Sequence, residues 1–114
     1  MNINVKQMSP GVHVVNLHGD VDMSTSPEIR KVVAPIFNKE TSRVIVDLSQ
    51  VPYMDSSGIA TLIEGLQQSQ KWGIRFILVG MTAQVEAAFD LAHLKEVFEV
   101  LPDLESALQT GGKG

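Results

Sequence analysis

Val44-Ile45-Val46-Asp47-Leu48-Ser49-Gln50-Val51-Pro52-Tyr53-Met54-Asp55-Ser56-Ser57-Gly58-Ile59 decides how this chain folds. Its first five residues form a near-continuous apolar run, the pattern of a strand covered on both faces. Turn-forming and polar residues at 49–55 make a loop. Ile59, Leu62, Ile63 and Leu66 then recur at helical spacing, so an amphipathic helix opens near Asp55 and ends near Trp72-Gly73. A buried strand running through a short loop into such a helix is half of a parallel βαβ unit.

The flanking sequence extends the alternation. Residues 2–8 place Ile3 and Val5 on one face of a strand. Ser9-Pro10-Gly11 is a turn, and the β-branched run at 12–17 completes a hairpin. Residues 19–28 form a loop feeding a helix, with Ser26 as expected N-cap, Pro27 at the first helical position and Glu28 in the first turn. Ile29, Val32, Val33, Ile36 and Phe37 give that helix one apolar face, and Pro35 should kink it or force a loose turn. Phe76-Ile77-Leu78-Val79 is a second buried strand, ended by Gly80. Val85, Ala88, Phe89 and Ala92 mark a third helix, residues 97–100 a short strand, and Leu101, Leu104 and Leu108 a last helix. The predicted fold is therefore α/β, ββαβαβαβα, a mixed, mostly parallel sheet with right-handed crossover helices. One domain is expected over residues 1–110, with a disordered glycine-rich tail at 111–114.

This topology gathers loops. The carboxyl ends of parallel strands lie on one edge, so the loops at 19–26, 49–57 and 80–82 should meet there.

Composition narrows the function classes. The 114 residues suit one domain, and 44% hydrophobic content supplies a core. The absence of cysteine removes disulfides, thiolate metal sites and a thiol nucleophile, and favours a reducing compartment. Met1-Asn2-Ile3-Asn4-Val5-Lys6 lacks the apolar run of a signal peptide, and no stretch approaches the ~20 apolar residues of a membrane span. With a net charge of -4 and scattered lysine and arginine, no basic face for nucleic acid is evident.

The chemistry concentrates at Asp55-Ser56-Ser57-Gly58. The first N–H groups of a helix have no intrahelical acceptor. Asp55 or Ser56 can serve as a cap for them, and Gly58 lets backbones pass closely. Alternatively, one serine carries a phosphate beside the positive helix end, with Asp55 repelling part of the new charge. The carboxylates of Asp20 and Asp22 sit two apart in a turn but lack the further acidic positions of a calcium loop. Met23, between polar residues, is a candidate adaptable contact. His13, His18 and His93 have no ligand spacing; His13 is expected to face solvent and His18 to lie near the binding edge. No G-x-S-x-G, P-loop, G-x-G-x-x-G or H-E-x-x-H motif occurs, and nothing places a histidine base beside Ser56.

These residues carry a resemblance to the STAS domains, above all to the stand-alone anti-sigma factor antagonists of bacteria. The stretch from Val46 to Ile59 resembles the central motif. Gly19-Asp20-Val21-Asp22 resembles the earlier turn, Phe76-Ile77-Leu78-Val79-Gly80 the later strand, and Leu91-Ala92-His93-Leu94 the segment after the third helix. Ala60-Thr61 departs from the small glycine-rich step, and Glu64-Gly65 puts a glycine inside the second helix at a cost of ~1 kcal/mol.

The resemblance implies a non-catalytic cytoplasmic protein without a cofactor. Unphosphorylated, it would bind an anti-sigma factor that is also a serine kinase, and release the sigma factor. Phosphorylation at Ser56, the serine after the motif's aspartate, would switch it off, and a PP2C-type phosphatase would reverse this. Ser57 would be structural. The expected partner-binding set is Asp22, Met23, Ser24, Met54, Asp55, Ser56, Ser57 and Gly58. No metal, nucleic acid or membrane insertion is implied. The motif also fits an accessory subunit of a lipid-transport ABC complex, without phospho-switching. A hydrolase using Ser56 is the third reading.

Overall fold

The computed structural model describes residues 1–109, so the tail expected at 111–114 lies outside the described residues. The element order is β1 (Asn2–Ser9), β2 (Val12–His18), α1 (Ser26–Val33), a 3-10 turn (Ala34–Ile36), β3 (Arg43–Gln50), α2 (Ser56–Trp72), β4 (Arg75–Val79), α3 (Ala83–Leu91), β5 (Glu99–Leu101) and α4 (Leu104–Gln109). This is the expected ββαβαβαβα alternation. The five strands lie in chain order, β1 to β5. β1 runs antiparallel to β2, and every other neighbour pair is parallel.

Alternation along each strand splits the core in two. On one face Val15, Leu17, Val44, Val46, Leu48, Phe76 and Leu78 pack against Ile29 of α1, Leu62 of α2, and Val85 and Phe89 of α3. On the other, Val14, Ile45, Ile77 and Val79 meet Ala107 of α4. β3 and β4 are therefore apolar at successive positions because both of their faces are covered. Arg43 ties α4 down by donating from Nη1 to the carbonyls of Ala107 (2.8 Å) and Leu108 (3.2 Å).

Several local expectations need correction. Ser26 is the first residue of α1 rather than its cap; Thr25 holds the cap position without a side-chain cap bond. The short strand starts at Glu99, because the amides of Val97 and Phe98 donate back to the Leu94 carbonyl in a turn. Leu101 belongs to that strand, opposite Val79, and not to the last helix. His13 is half-buried, on the same face as Val15 and Leu17, instead of solvent-facing. Pro35 acts as anticipated: α1 stops at Val33 and gives way to the 3-10 turn.

Two glycines are explained by geometry. Gly73, with φ +70°, closes α2 in the left-handed conformation that side chains resist. Gly65 lies against the sheet, where a Cβ would come within 2.8 Å of the Phe76 ring. Its helix-weakening character is the cost of close packing between α2 and β4.

Phe89 is fully buried and meets Phe98 edge-on at 5.5 Å between ring centroids. Phe89→Ala should lower stability by about 3–5 kcal/mol, read from urea denaturation. A loss under about 1 kcal/mol would show that α3 does not seal this end of the core.

Candidate functional site

The three loops expected on one edge do meet. The Gly19 amide donates to the Gln50 carbonyl (3.0 Å) and the Val21 amide to the Tyr53 carbonyl (2.9 Å). The Asp55 amide donates back to the Val21 carbonyl (3.0 Å). The last two bonds form a single parallel bridge, Val21 to Met54, beyond the ends of β2 and β3. The third loop joins through Thr82, whose hydroxyl donates to the Val51 carbonyl (2.9 Å).

This bridge fixes where α2 begins. Asp55 is the N-cap, with extended backbone (φ -97°, ψ -173°). Its Oδ1 accepts from the amides of Ser57 (2.9 Å) and Gly58 (3.2 Å) and from the Ser57 hydroxyl (2.6 Å). The Ser57 hydroxyl bond, followed by the two amides, holds the Asp55 carboxyl below its ordinary value, while the nearby Asp22 charge opposes this. Of the two candidate caps, Asp55 is the one that caps.

The two serines have different fates. Ser57 Oγ lies 2.9 Å from Ser26 Oγ. Each hydroxyl has one proton. Ser57 reaches the Asp55 carboxylate at 2.6 Å and Ser26 the Asp22 carbonyl at 2.8 Å, so either hydroxyl can donate across the pair. Ser57 thereby ties α2 to the start of α1. Ser56 is exposed, and among the described residues its hydroxyl makes no hydrogen bond. No histidine hydrogen-bonds to either serine among those residues.

The Asp22 loop is ordered by its own side chains. Asp22 Oδ1 accepts from the Ser24 hydroxyl (2.6 Å) and the Ser24 amide (2.9 Å). The Ser24 hydroxyl, then its amide, lowers the Asp22 carboxyl. Thr25 Oγ1 accepts from the Asp22 amide and donates to the Asp20 carbonyl. The turn leaves Met23 76% exposed. His18 is exposed at the end of β2, beside this edge.

The structure thus sorts the expected binding set by depth. Met23, Ser24 and Ser56 are exposed, Asp22, Asp55 and Ser57 are partly buried, and Met54 and Gly58 are buried. A Cβ on Gly58 would fall within 2.6 Å of both Met54 Cγ and Val21 Cγ1. Gly58 and Met54 therefore support the edge from below and do not present side chains to a partner. Sequence reasoning missed Tyr53, which is 47% exposed on the rim, and Val21 and Ser26, which join the loops. An exposed tyrosine between a proline and a methionine is a readable signal. The contacts of Val21 and Ser26 span more than 30 residues and leave none.

Residues 3–107 match the family model described as the STAS domain. An anti-sigma-B factor antagonist from Staphylococcus epidermidis is 28% identical over 101 residues, which is 88% of this chain and 94% of that protein. The crystal structure of an anti-sigma factor antagonist from Mycobacterium paratuberculosis superimposes with a TM-score of 0.84 at 25% identity, covering 94% of this chain and 90% of that one. SpoIIAA of Bacillus, at 18% identity, shares the fold in its unphosphorylated form (TM-score 0.81, covering 94% of this chain and 93% of that one). Its phosphorylated form does so with a TM-score of 0.74, covering 94% and 96%.

Removing the cap should show its contribution. Asp55→Ala is expected to lower the urea midpoint at neutral pH. Because the folded-state value is depressed, the carboxylate's contribution is complete above its ordinary value of 3.8 and is lost as pH falls through the lowered one. The Asp55→Ala variant should therefore lose less stability below that pH than the parent. Equal acid sensitivity in both would remove Asp55 from this role.

Proposed function

We propose that this chain, which belongs to the STAS domain family, is an anti-sigma factor antagonist that acts by binding and is switched by phosphorylation of Ser56. The observation that carries this reading is the contrast between the two serines. Ser57 is held by Asp55 and Ser26, whereas Ser56 offers an exposed hydroxyl with no hydrogen bond among the described residues. A modifying enzyme can reach Ser56 without breaking the fold.

The surface around Ser56 suits a protein partner. Met23 and Tyr53 are exposed on the same edge. Methionine adapts to a partner's shape, and tyrosine brings contact area with a polar tip. In the unphosphorylated state this edge binds an anti-sigma factor and displaces the sigma factor. The staphylococcal relative's name supports the class of partner.

Electrostatics explain how the switch works. A phosphoserine adds about 1.5 to 2 negative charges. A helix N-terminus normally welcomes an anion. Here the Asp55 carboxylate already takes the Ser57 and Gly58 amides, so those donors are occupied. Asp22 adds a second negative charge close enough to oppose ionisation of Asp55. The new charge therefore stays on the surface and is directed at the partner. An unpaired charge in a desolvated contact costs several kcal/mol in order of magnitude. About 5.5 kcal/mol moves a population from nearly all bound to nearly all free.

The partner is a serine kinase as well as an anti-sigma factor, and a PP2C-type phosphatase restores the hydroxyl. The kinase brings its own ATP, so this chain needs no cofactor. The protein acts in the cytoplasm. Among the described residues no helix is long and apolar enough to cross a membrane.

Incubation with the cognate kinase and ATP, read by intact mass, tests this function. The parent and Ser57→Ala should each gain one phosphate, and Ser56→Ala none. Ser56→Glu should weaken kinase binding at least tenfold, or about 1.4 kcal/mol, without changing the urea midpoint. Full modification of Ser56→Ala, or parental affinity in Ser56→Glu, would overturn the assignment. A chain that purifies unmodified with an ATPase subunit would mark the transporter-subunit role instead.

A further inference from the structure

A cavity of about 370 Å³ lies between α1 and α2, away from Ser56. Its floor is the sheet, through Val15, Leu17, Val46 and Phe76. Ile29 and Val33 of α1 wall one side, and Leu62 of α2 the other. Gly65 also lines it and keeps α2 low over Phe76. The interior is apolar, and its mouth is polar: Arg30, Glu64, Gln67 and Gln68 line it and are exposed.

This is the composition of a small-molecule site. Such pockets run to roughly 300–1,000 Å³, mostly apolar, with a few polar groups that orient the ligand. An apolar cavity of about 150 Å³ accommodates benzene. The space here suits a two-ring body.

The mouth selects the ligand's charge. Arg30 Nε donates to Glu64 Oε1 at 2.6 Å, and Nη2 donates to Thr61 Oγ1 at 3.2 Å. The guanidinium is already neutralised by a carboxylate. An anionic head would be drawn to Arg30 but repelled by Glu64, and a cationic head the reverse, so neither charge gains enough there to offset its own desolvation. An uncharged hydroxyl or amide meets no opposing charge, and can accept from Arg30 or donate to Glu64.

We propose that this cavity binds an uncharged amphiphile with a two-ring-sized apolar body and one hydrogen-bonding end. The inference does not depend on the partner that docks at Ser56. The ligand would nevertheless sit between two helices that both start at that edge, α1 at Ser26 and α2 at Ser56.

The test uses methyl-labelled protein titrated at neutral pH with 2-naphthol and, separately, with 2-naphthoate. The two probes share a skeleton and differ in the charge of the head. 2-Naphthol should shift the methyls of Val15, Leu17, Val33 and Leu62 saturably, with a Kd on the order of 1 mM or tighter. Val14, Ile77 and Val79, on the opposite face, should not move. 2-Naphthoate should bind at least tenfold more weakly. Val33→Phe, which fills the cavity, should weaken 2-naphthol at least tenfold. Ala34→Trp, at an exposed lining position, should do the same and serves if Val33→Phe fails to fold. The proposal is overturned by no saturable shift, by equal shifts on both faces, by naphthoate binding as tightly as naphthol, or by undiminished binding in the folded variants.

Discussion

The Val21 amide donates to the Tyr53 carbonyl, and the Asp55 amide donates to the Val21 carbonyl. This two-bond clasp continues the parallel pairing of β2 and β3 past the last regular strand residues. It holds the backbone of Asp55 extended, which places its carboxylate over the first turn of α2. Gly58 is required directly beneath, because Val21 and Met54 fill the space a Cβ would need. The position of α2, the depth of Ser57 and the exposure of Ser56 all follow from it.

One aspartate then gives two neighbouring serines opposite properties. It holds the Ser57 hydroxyl and the amides that a phosphate on Ser56 would otherwise find. A group that stabilises the helix would also leave a phosphate on Ser56 unneutralised. In the proposed switch the same carboxylate would serve both fold and regulation, and a charge on Ser56 would be added without a structural rearrangement. The Ser26 hydroxyl extends this arrangement to α1, so both helices start from one bonded cluster.

Much of the fold was legible in the sequence because its elements are strongly patterned. The runs at Val44–Leu48 and Phe76–Val79 are apolar at every or nearly every position, and both prove to be covered on both faces. α2 has a carboxylate cap, a full apolar stripe and a glycine stop, and it begins and ends where those signals stand. Legibility failed where a short segment is governed by contacts distant in sequence. Ser26 has the chemistry of a cap, yet its hydroxyl is drawn to the Asp22 carbonyl and to Ser57, 31 residues away. The short strand near residue 99 begins late because Leu94 accepts from the preceding amides, and because Glu99 pairs with Arg75 of β4. In the segment 53–58, sequence names the residues but not their depth. Met54 and Gly58 share the segment with Ser56, yet they lie beneath it.

The proposed docking surface is the edge formed by the β2–α1 and β3–α2 loops. Amide hydrogen exchange of the unphosphorylated protein, with and without the anti-sigma factor proposed as its partner, decides the matter. Docking there gives new protection confined to residues 19–26 and 53–58, and none along β1. Protection along β1 or α4, with residues 53–58 exchanging as in the free protein, would contradict it.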